Sequence, residues 1–214
     1  MHRTSKRRRV LLLAKAPQPG LAKTRLVPLL GAEGAAALQA RLIKHALKTA
    51  RDASLGAIEL HGAPADDDFL RYCAGHYGAE LLPQAEGDLG ERMRSALARA
   101  LDAADCAILI GADCPALTAR HLRLAARALD DGNDAVFAPT EDGGYALVGL
   151  TRCDARVFEA IAWSTPTVMD ETRARLRSLG WRWHELDTLW DIDRPDDYVR
   201  LRASGFLEHA SRSV

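Results

Sequence analysis

The side chains able to do chemistry gather in a few short segments. The first is Lys15-Ala16-Pro17-Gln18-Pro19-Gly20-Leu21-Ala22-Lys23-Thr24-Arg25, directly after the apolar run Val10 to Ala14. Two prolines stiffen this loop, Gly20 permits a positive φ, and three cations stand where a buried strand would end. Lys offers a compact charge and Arg a two-pronged donor, a pairing suited to neighbouring phosphoryl groups. A rigid surface loop with solvated cations is the other reading of the same residues. The second segment, Ile110-Gly111-Ala112-Asp113-Cys114-Pro115, places a carboxylate at the end of the most apolar stretch. There Asp113 can hold Mg²⁺ or Mn²⁺, or it can cap the helix that follows Pro115.

In the third, Pro139-Thr140-Glu141-Asp142-Gly143-Gly144-Tyr145, paired glycines let the backbone approach a ligand, with the Asp142 carboxylate and the Tyr145 hydroxyl beside them. A plain hairpin turn uses the same residues. The fourth, Asp191-Ile192-Asp193-Arg194-Pro195-Asp196-Asp197, either completes a metal site, with Asp191 and Asp193 on one side by alternation, or supplies negative charge to a helix start. Two weaker segments are Gly87-Asp88-Leu89-Gly90-Glu91-Arg92, a helix start that can face a base or phosphate, and Trp163-Ser164-Thr165.

Several chemistries lack support. Ala22 and Gln18 stand where a Walker A loop needs glycine, and both G-x-G-x-x-G and the G-x-S-x-G elbow are missing. None of the seven histidines has metal-ligand spacing, and Cys114 has no histidine placed by the sequence to activate it, which leaves it a packing residue. Cys73, Cys106, Cys114 and Cys153 are scattered, as reduced thiols in a cytoplasm would be. The 29 basic and 29 acidic residues balance, so no overall field recruits nucleic acid or an anionic membrane. The exception is the start, where Arg3, Lys6, Arg7, Arg8 and Arg9 read as a solvated basic tail over residues 1–8. No stretch reads as a signal segment or as long enough to cross a bilayer.

The elements that must position these residues alternate. Apolar runs near 10–14, 57–60, 80–82, 106–110, 135–138, 145–150 and 181–186 read as strands. Helical periodicity fills the intervals, for example at Leu38, Leu42, Ile43, Ala46 and Leu47, over 69–76, 89–103 and 118–129, and in two helices before the last strand. Pro195 opens a final helix. This pattern predicts one α/β domain over residues 9–214, its mostly parallel sheet flanked by helices on both faces. A ligand would sit at the carboxyl ends of the strands.

In order and spacing, the segments Lys15 to Leu26, Gly111 to Pro115, Asp142 to Tyr145, Trp163 to Thr165 and Asp191 to Asp197 resemble a bacterial family of glycosyltransferase-like proteins. Its members are described as radical-SAM- or selenodomain-associated transferases and as arsenosugar biosynthesis glycosyltransferases. The wider kinship is with the nucleotide-diphospho-sugar transferase superfamily, whose GT-A fold also serves molybdenum-cofactor and phospholactate guanylyltransferases. The resemblance implies a metal-dependent glycosyl- or nucleotidyltransferase. Its partners would be a nucleoside triphosphate or nucleotide-sugar and a small-molecule acceptor, with no nucleic acid and no membrane. It implies catalytic roles for Lys23, Arg25 and Asp113. The nucleotide side would comprise Ala14, Lys15, Pro17, Gly20, Lys23, Thr24, Arg25, Leu89, Gly90 and Arg92. The acceptor side would comprise Asp142, Gly143, Gly144, Tyr145, Trp163 and Ser164, and Mg²⁺ or Mn²⁺ would sit on Asp113, Asp193 and Asp191. Two departures stand out: the signature G-x-G-T-R is missing, and a single Asp113 replaces D-x-D. A non-catalytic nucleotide-binding or regulatory protein of the same fold is the alternative.

Overall fold

The structure, a computed structural model, describes residues 6–209. Its strands are β1 (Arg8–Lys15), β2 (Ala57–Ala63), β3 (Ala79–Pro83), β4 (Cys106–Gly111), β5 (Ala135–Pro139), β6 (Tyr145–Leu150) and β7 (Trp183–Glu185). They form one sheet in the order β3-β2-β1-β4-β6-β5-β7. Only β6 runs against its neighbours, pairing antiparallel with β4 and β5. The helices are α1 (Val27–Ala53), α2 (Asp68–Tyr77), α3 (Leu89–Leu101), α4 (Ala119–Asp130), α5 (Val168–Ser178), α6 (Pro195–Ala203) and α7 (Phe206–His209).

The continuous apolar runs are the central strands, covered on both sides. On one face Val10, Leu12, Ile58, Leu60, Ile108 and Ile110 pack with Ile43 and Leu47 of α1, Leu70 of α2 and Leu122 of α4. On the other, Leu11, Leu109, Phe137 and Val148 meet Met93 and Leu97 of α3 and Met169 and Leu176 of α5. A smaller cluster of Leu26, Leu38, Leu42, Ile192 and Leu201 ties α6 to α1 and so fixes the segment that precedes α6.

Three expectations need correction. The basic tail is shorter than expected: Arg3 lies outside the described residues, but Arg8 opens β1 and places its guanidinium 2.7 Å from Asp130, with Lys6 at 3.3 Å from the same carboxylate. One helical run, Thr24–Ala53, is long and apolar enough to cross a membrane. Its apolarity has a packing cause, because Ala35, Leu38, Leu42, Ile43 and Leu47 are all buried in the core. Finally, only α5 lies in the interval where two helices were expected. Before it comes a single 3-10 turn, Ala155–Val157, and then backbone broken by positive φ at Ala160 and Ser164 and by Pro166.

Candidate active site

A cleft of about 750 Å³ opens at the carboxyl ends of β1 and β4 and the beginning of β6. Its floor is the sheet itself, at Leu13, Leu109 and Val148, and Met93 of α3 forms one side. The cleft gathers Lys15, Lys23, Thr24, Arg25, Leu89, Arg92, Asp113, Asp142, Gly144, Tyr145, Trp163, Ser164, Asp191 and Asp193 from across the sequence. The expected residues Ala14, Pro17, Gly20, Gly90 and Gly143 do not line it.

Each of those five has a structural duty. Ala14 is buried, and its carbonyl accepts a 3.0 Å hydrogen bond from Gln84, which also donates to the His61 carbonyl at 2.9 Å and so ties β1 to β2. Pro17 and Gly20 shape the loop, whose turn closes when Leu21 and Ala22 donate to the Gln18 carbonyl, each at 3.1 Å. Gly90 lies under the Trp163 indole, which an ideal Cβ there would approach to 2.6 Å. Gly143 has φ of 90° against Pro166, and its carbonyl accepts from the Met169 amide at 2.9 Å. The turn carrying Asp142 and the segment carrying Trp163 are thereby held together.

Lys23 is the most constrained of the cations. Its backbone adopts the left-handed conformation at φ 48°, and its side chain is only 6% exposed. The ammonium stands 2.7 Å from Asp113 Oδ1 and also donates to the Ile192 carbonyl. Arg25 pairs with Asp193 at the mouth. The loop after β1 is therefore bound to the segment 191–193, which is itself held on the β4 end by the Ile192 amide donating to the Asp113 carbonyl at 2.9 Å and by Cys114 Sγ donating to the Trp190 carbonyl at 3.2 Å.

The acidic residues divide between two jobs. Asp197 accepts from the amides of Asp193 and Arg194 and so closes the start of α6, whereas Asp191 and Asp193 line the cleft. The N-cap of α4 is Thr118, so Asp113 does not cap that helix. Burial pushes the Asp191 carboxyl up to about 6, and the nearby charges of Asp142 and Asp113 add to the shift. Asp142 is fixed by accepting from Thr140 Oγ1 at 2.6 Å and from the Gly144 amide at 3.0 Å.

Two finer expectations change. The Tyr145 hydroxyl is fully buried, with no hydrogen-bond partner among the described residues, so Tyr145 gives the cleft its ring and not its hydroxyl. The start of α3 gives one of its amides to a side-chain cap, Asp88 accepting from the Glu91 amide at 2.9 Å, and it reaches the cleft through Leu89 and Arg92. Burial pushes the Cys114 thiol up to about 12, which leaves it unreactive at neutral pH, as a packing residue should be. Thr140 and Thr165 also line the cleft, within segments already marked but with no role assigned to them, and Gln39 lines it without having been singled out from the sequence. Gln39 had a signal: it is a polar residue on the buried face of α1 between Leu38 and Leu42.

Among solved structures, a Desulfovibrio desulfuricans protein provisionally named a nucleotide-diphospho-sugar transferase superimposes with a TM-score of 0.82 at 28% identity, covering 92% of this chain and 87% of that one. CMP:2-keto-3-deoxy-manno-octonic acid synthetase complexed with CTP gives a TM-score of 0.61 at 13% identity, covering 94% and 99%. Glucosyl-3-phosphoglycerate synthase from Mycobacterium tuberculosis, complexed with Mn²⁺, UDP and glucosyl-3-phosphoglycerate, gives 0.55 at 12% identity, covering 94% and 77%. The fold is thus that of the nucleotide-diphospho-sugar transferases, the GT-A and cytidylyltransferase type. No curated protein sequence matches the chain. A family described as an uncharacterized protein conserved in bacteria (DUF2064) matches residues 42–165, and the chain belongs to that family.

Proposed function

We propose that the chain is a transferase acting on a nucleotide-activated donor, with glycosyl or nucleotidyl transfer to a small-molecule acceptor as its reaction. The observation that carries this reading is the cleft itself, where Lys15, Lys23, Arg25 and Arg92 share one space with Asp113, Asp142, Asp191 and Asp193 at the carboxyl ends of parallel strands. Four cations suit a polyphosphate, and the carboxylates suit a hard divalent cation bridging it. The count of cations favours a triphosphate donor and nucleotidyl transfer, because a pyrophosphate leaving group develops charge that must be neutralised. The resemblance to the radical-SAM-associated glycosyltransferase-like proteins favours glycosyl transfer, and the segment Lys23-Thr24-Arg25-Leu26 resembles the phosphate loop of phospholactate guanylyltransferase.

The donor set fits Mg²⁺ or Mn²⁺. Among the described residues no group of three or more His, Cys, Asp or Glu is placed to hold a metal ion, so Asp113, Asp191 and Asp193 do not make up a three-carboxylate site by themselves. An open site needs only one or two carboxylates, with water and phosphate oxygens completing the shell. Asp113 and Asp191, near enough for each charge to act on the other, meet that need, and Asp193 is within reach of the same cleft once it leaves Arg25. A bound cation would supply charge neutralisation on the phosphates. The chain's own residues then divide the remaining work. Lys23 and Arg25 orient the phosphates, while Asp142, Gly144, Trp163 and Ser164 form the wall against which an acceptor rests.

With free thiols at all four cysteines, the protein suits a reducing cytoplasm. Thermal shift against nucleoside triphosphates and nucleotide-sugars, with and without Mg²⁺ or Mn²⁺, tests the reading. Release of pyrophosphate marks nucleotidyl transfer and release of a nucleoside diphosphate marks glycosyl transfer. Stabilisation without turnover on any acceptor would favour the non-catalytic alternative, and no stabilisation by any nucleotide would refute the proposal.

A further inference from the structure

The two cations best placed for phosphate are engaged before any ligand arrives. Lys23 lies against Asp113 and the Ile192 carbonyl, and Arg25 against Asp193. The burial is lopsided: the Lys23 side chain is 6% exposed and the Asp113 side chain 53%. The left-handed backbone at Lys23 directs the ammonium inward, toward a segment 169 residues further along the chain.

We propose that the Lys23–Asp113 pair makes the cleft selective for a metal-chelated polyphosphate over either the free polyphosphate or the free cation. This rests on the phosphate-binding reading above. A polyphosphate that arrives alone must compete with Asp113 for Lys23 and then sit beside an uncompensated carboxylate. A divalent cation that arrives alone must compete with Lys23 for Asp113 and then face the displaced ammonium. When both arrive, the partners exchange: the ammonium passes to phosphate, the carboxylate to the cation, and no charge is stranded. Arg25 and Asp193 repeat the exchange at the mouth, where solvent weakens it. Each ligand therefore strengthens the other's binding by the same factor, in the range of about 5- to 150-fold typical of coupled sites.

Calorimetry with inorganic pyrophosphate, which is blind to the base, tests the idea on the intact protein. In the wild type, Mg²⁺ should tighten pyrophosphate binding by at least about tenfold. Asp113→Asn frees Lys23, so metal-free pyrophosphate should bind about tenfold tighter than in the wild type, and the gain from Mg²⁺ should fall to less than about threefold. Asp142→Asn removes the same charge from the same cleft without touching Lys23, and it should show no such gain. Conversely, Lys23→Met should bind Mn²⁺ alone, read by electron paramagnetic resonance, about tenfold tighter than the wild type. Equal gains in Asp113→Asn and Asp142→Asn would show a general field effect and overturn the proposal. So would Lys23→Met binding Mn²⁺ no better than the wild type. Pyrophosphate that binds the wild type equally with and without Mg²⁺ would overturn the selectivity while leaving the phosphate site standing. Failure of pyrophosphate to bind any of these proteins would refute the functional reading and the selectivity together.

Discussion

Replacing Gly143 with alanine asks whether the paired glycines at the tip of the β5–β6 hairpin have one job or two. The φ of 90° at Gly143 costs an alanine about 1–2 kcal/mol. The added methyl would lie 2.6 Å from the carbonyl carbon and 2.7 Å from the Cα of Pro166, and closer still to its oxygen. These are backbone atoms that cannot swing aside, so overpacking adds about 1–3 kcal/mol. Moving the two segments apart also strains the 2.9 Å bond from the Met169 amide to the Gly143 carbonyl, a loss of about 1 kcal/mol. The total is about 3–6 kcal/mol, a large share of the stability of an ordinary domain. At Gly144 a Cβ would meet only side-chain tips, Thr140 Oγ1 at 3.2 Å and Asp142 Oδ1 at 3.3 Å, and Gly144→Ala should cost less than about 1.5 kcal/mol. Urea unfolding followed by circular dichroism measures both. A Gly143→Ala protein within about 1 kcal/mol of the wild type, or indistinguishable from Gly144→Ala, would refute the assignment of Gly143 to packing and Gly144 to the cleft wall.

Lys23 and Arg25 should separate in the same way. Arg25→Ala, at a pair whose members are 60% and 45% exposed, should change stability by less than about 1 kcal/mol yet weaken Mg²⁺-pyrophosphate binding by about tenfold to a hundredfold in calorimetry. Lys23→Ala should do both kinds of damage, losing about 1–3 kcal/mol of stability because the Ile192 carbonyl and Asp113 lose their shared donor. Away from the cleft, the fully buried Glu59 accepts from Arg9, Arg99 and His61. Burial pushes its carboxyl up, but the hydrogen bonds from His61 and Arg9 and the charge of Arg99 more than offset this, and the net position is below its ordinary 4.5. Glu59→Gln should cost about 2 kcal/mol at pH 7, less than for a fully enclosed pair because Arg9 and Arg99 can rehydrate. A depressed carboxyl stabilises the fold above its unfolded pKa and loses that effect as pH falls through the folded one. The gap between wild type and Glu59→Gln in urea midpoints should accordingly shrink below pH 4.5, and a gap that stays constant there would count against the pairing.

The elements were legible because apolar periodicity reports directly on burial. Val10 to Ala14 and Cys106 to Ile110 are continuous runs, and both are central strands. What the sequence left open were partners and directions. Nothing in Lys23-Thr24-Arg25 announces that Lys23 is buried and Arg25 exposed, since that depends on a left-handed residue and on a carbonyl brought in from 192. The same holds for Tyr145, whose residue type gives no hint that its hydroxyl is shut away from the cleft that its ring lines. Gly143 and Gly144 look alike in sequence, and only the path of Pro166 tells them apart. Of the two helices expected before β7 only α5 formed, and the other failed for a local reason: Ser164 and Pro166 break the backbone in an interval whose composition otherwise suits a helix.

The reversed strand β6 has a mechanical consequence. Because β6 starts at the edge of the sheet where β1, β4 and β5 end, one wall of the cleft is a hairpin tip joined to a stretch of irregular backbone, which is seated on α3 where Trp163 covers Gly90. The segments 140–144 and 163–167 therefore form one brace, closed by Gly143 against Pro166, and it stands apart from the Lys23–Asp113 pair of the opposite wall. The wall against which an acceptor would rest is thus a single clasp, which holds or gives way as one piece.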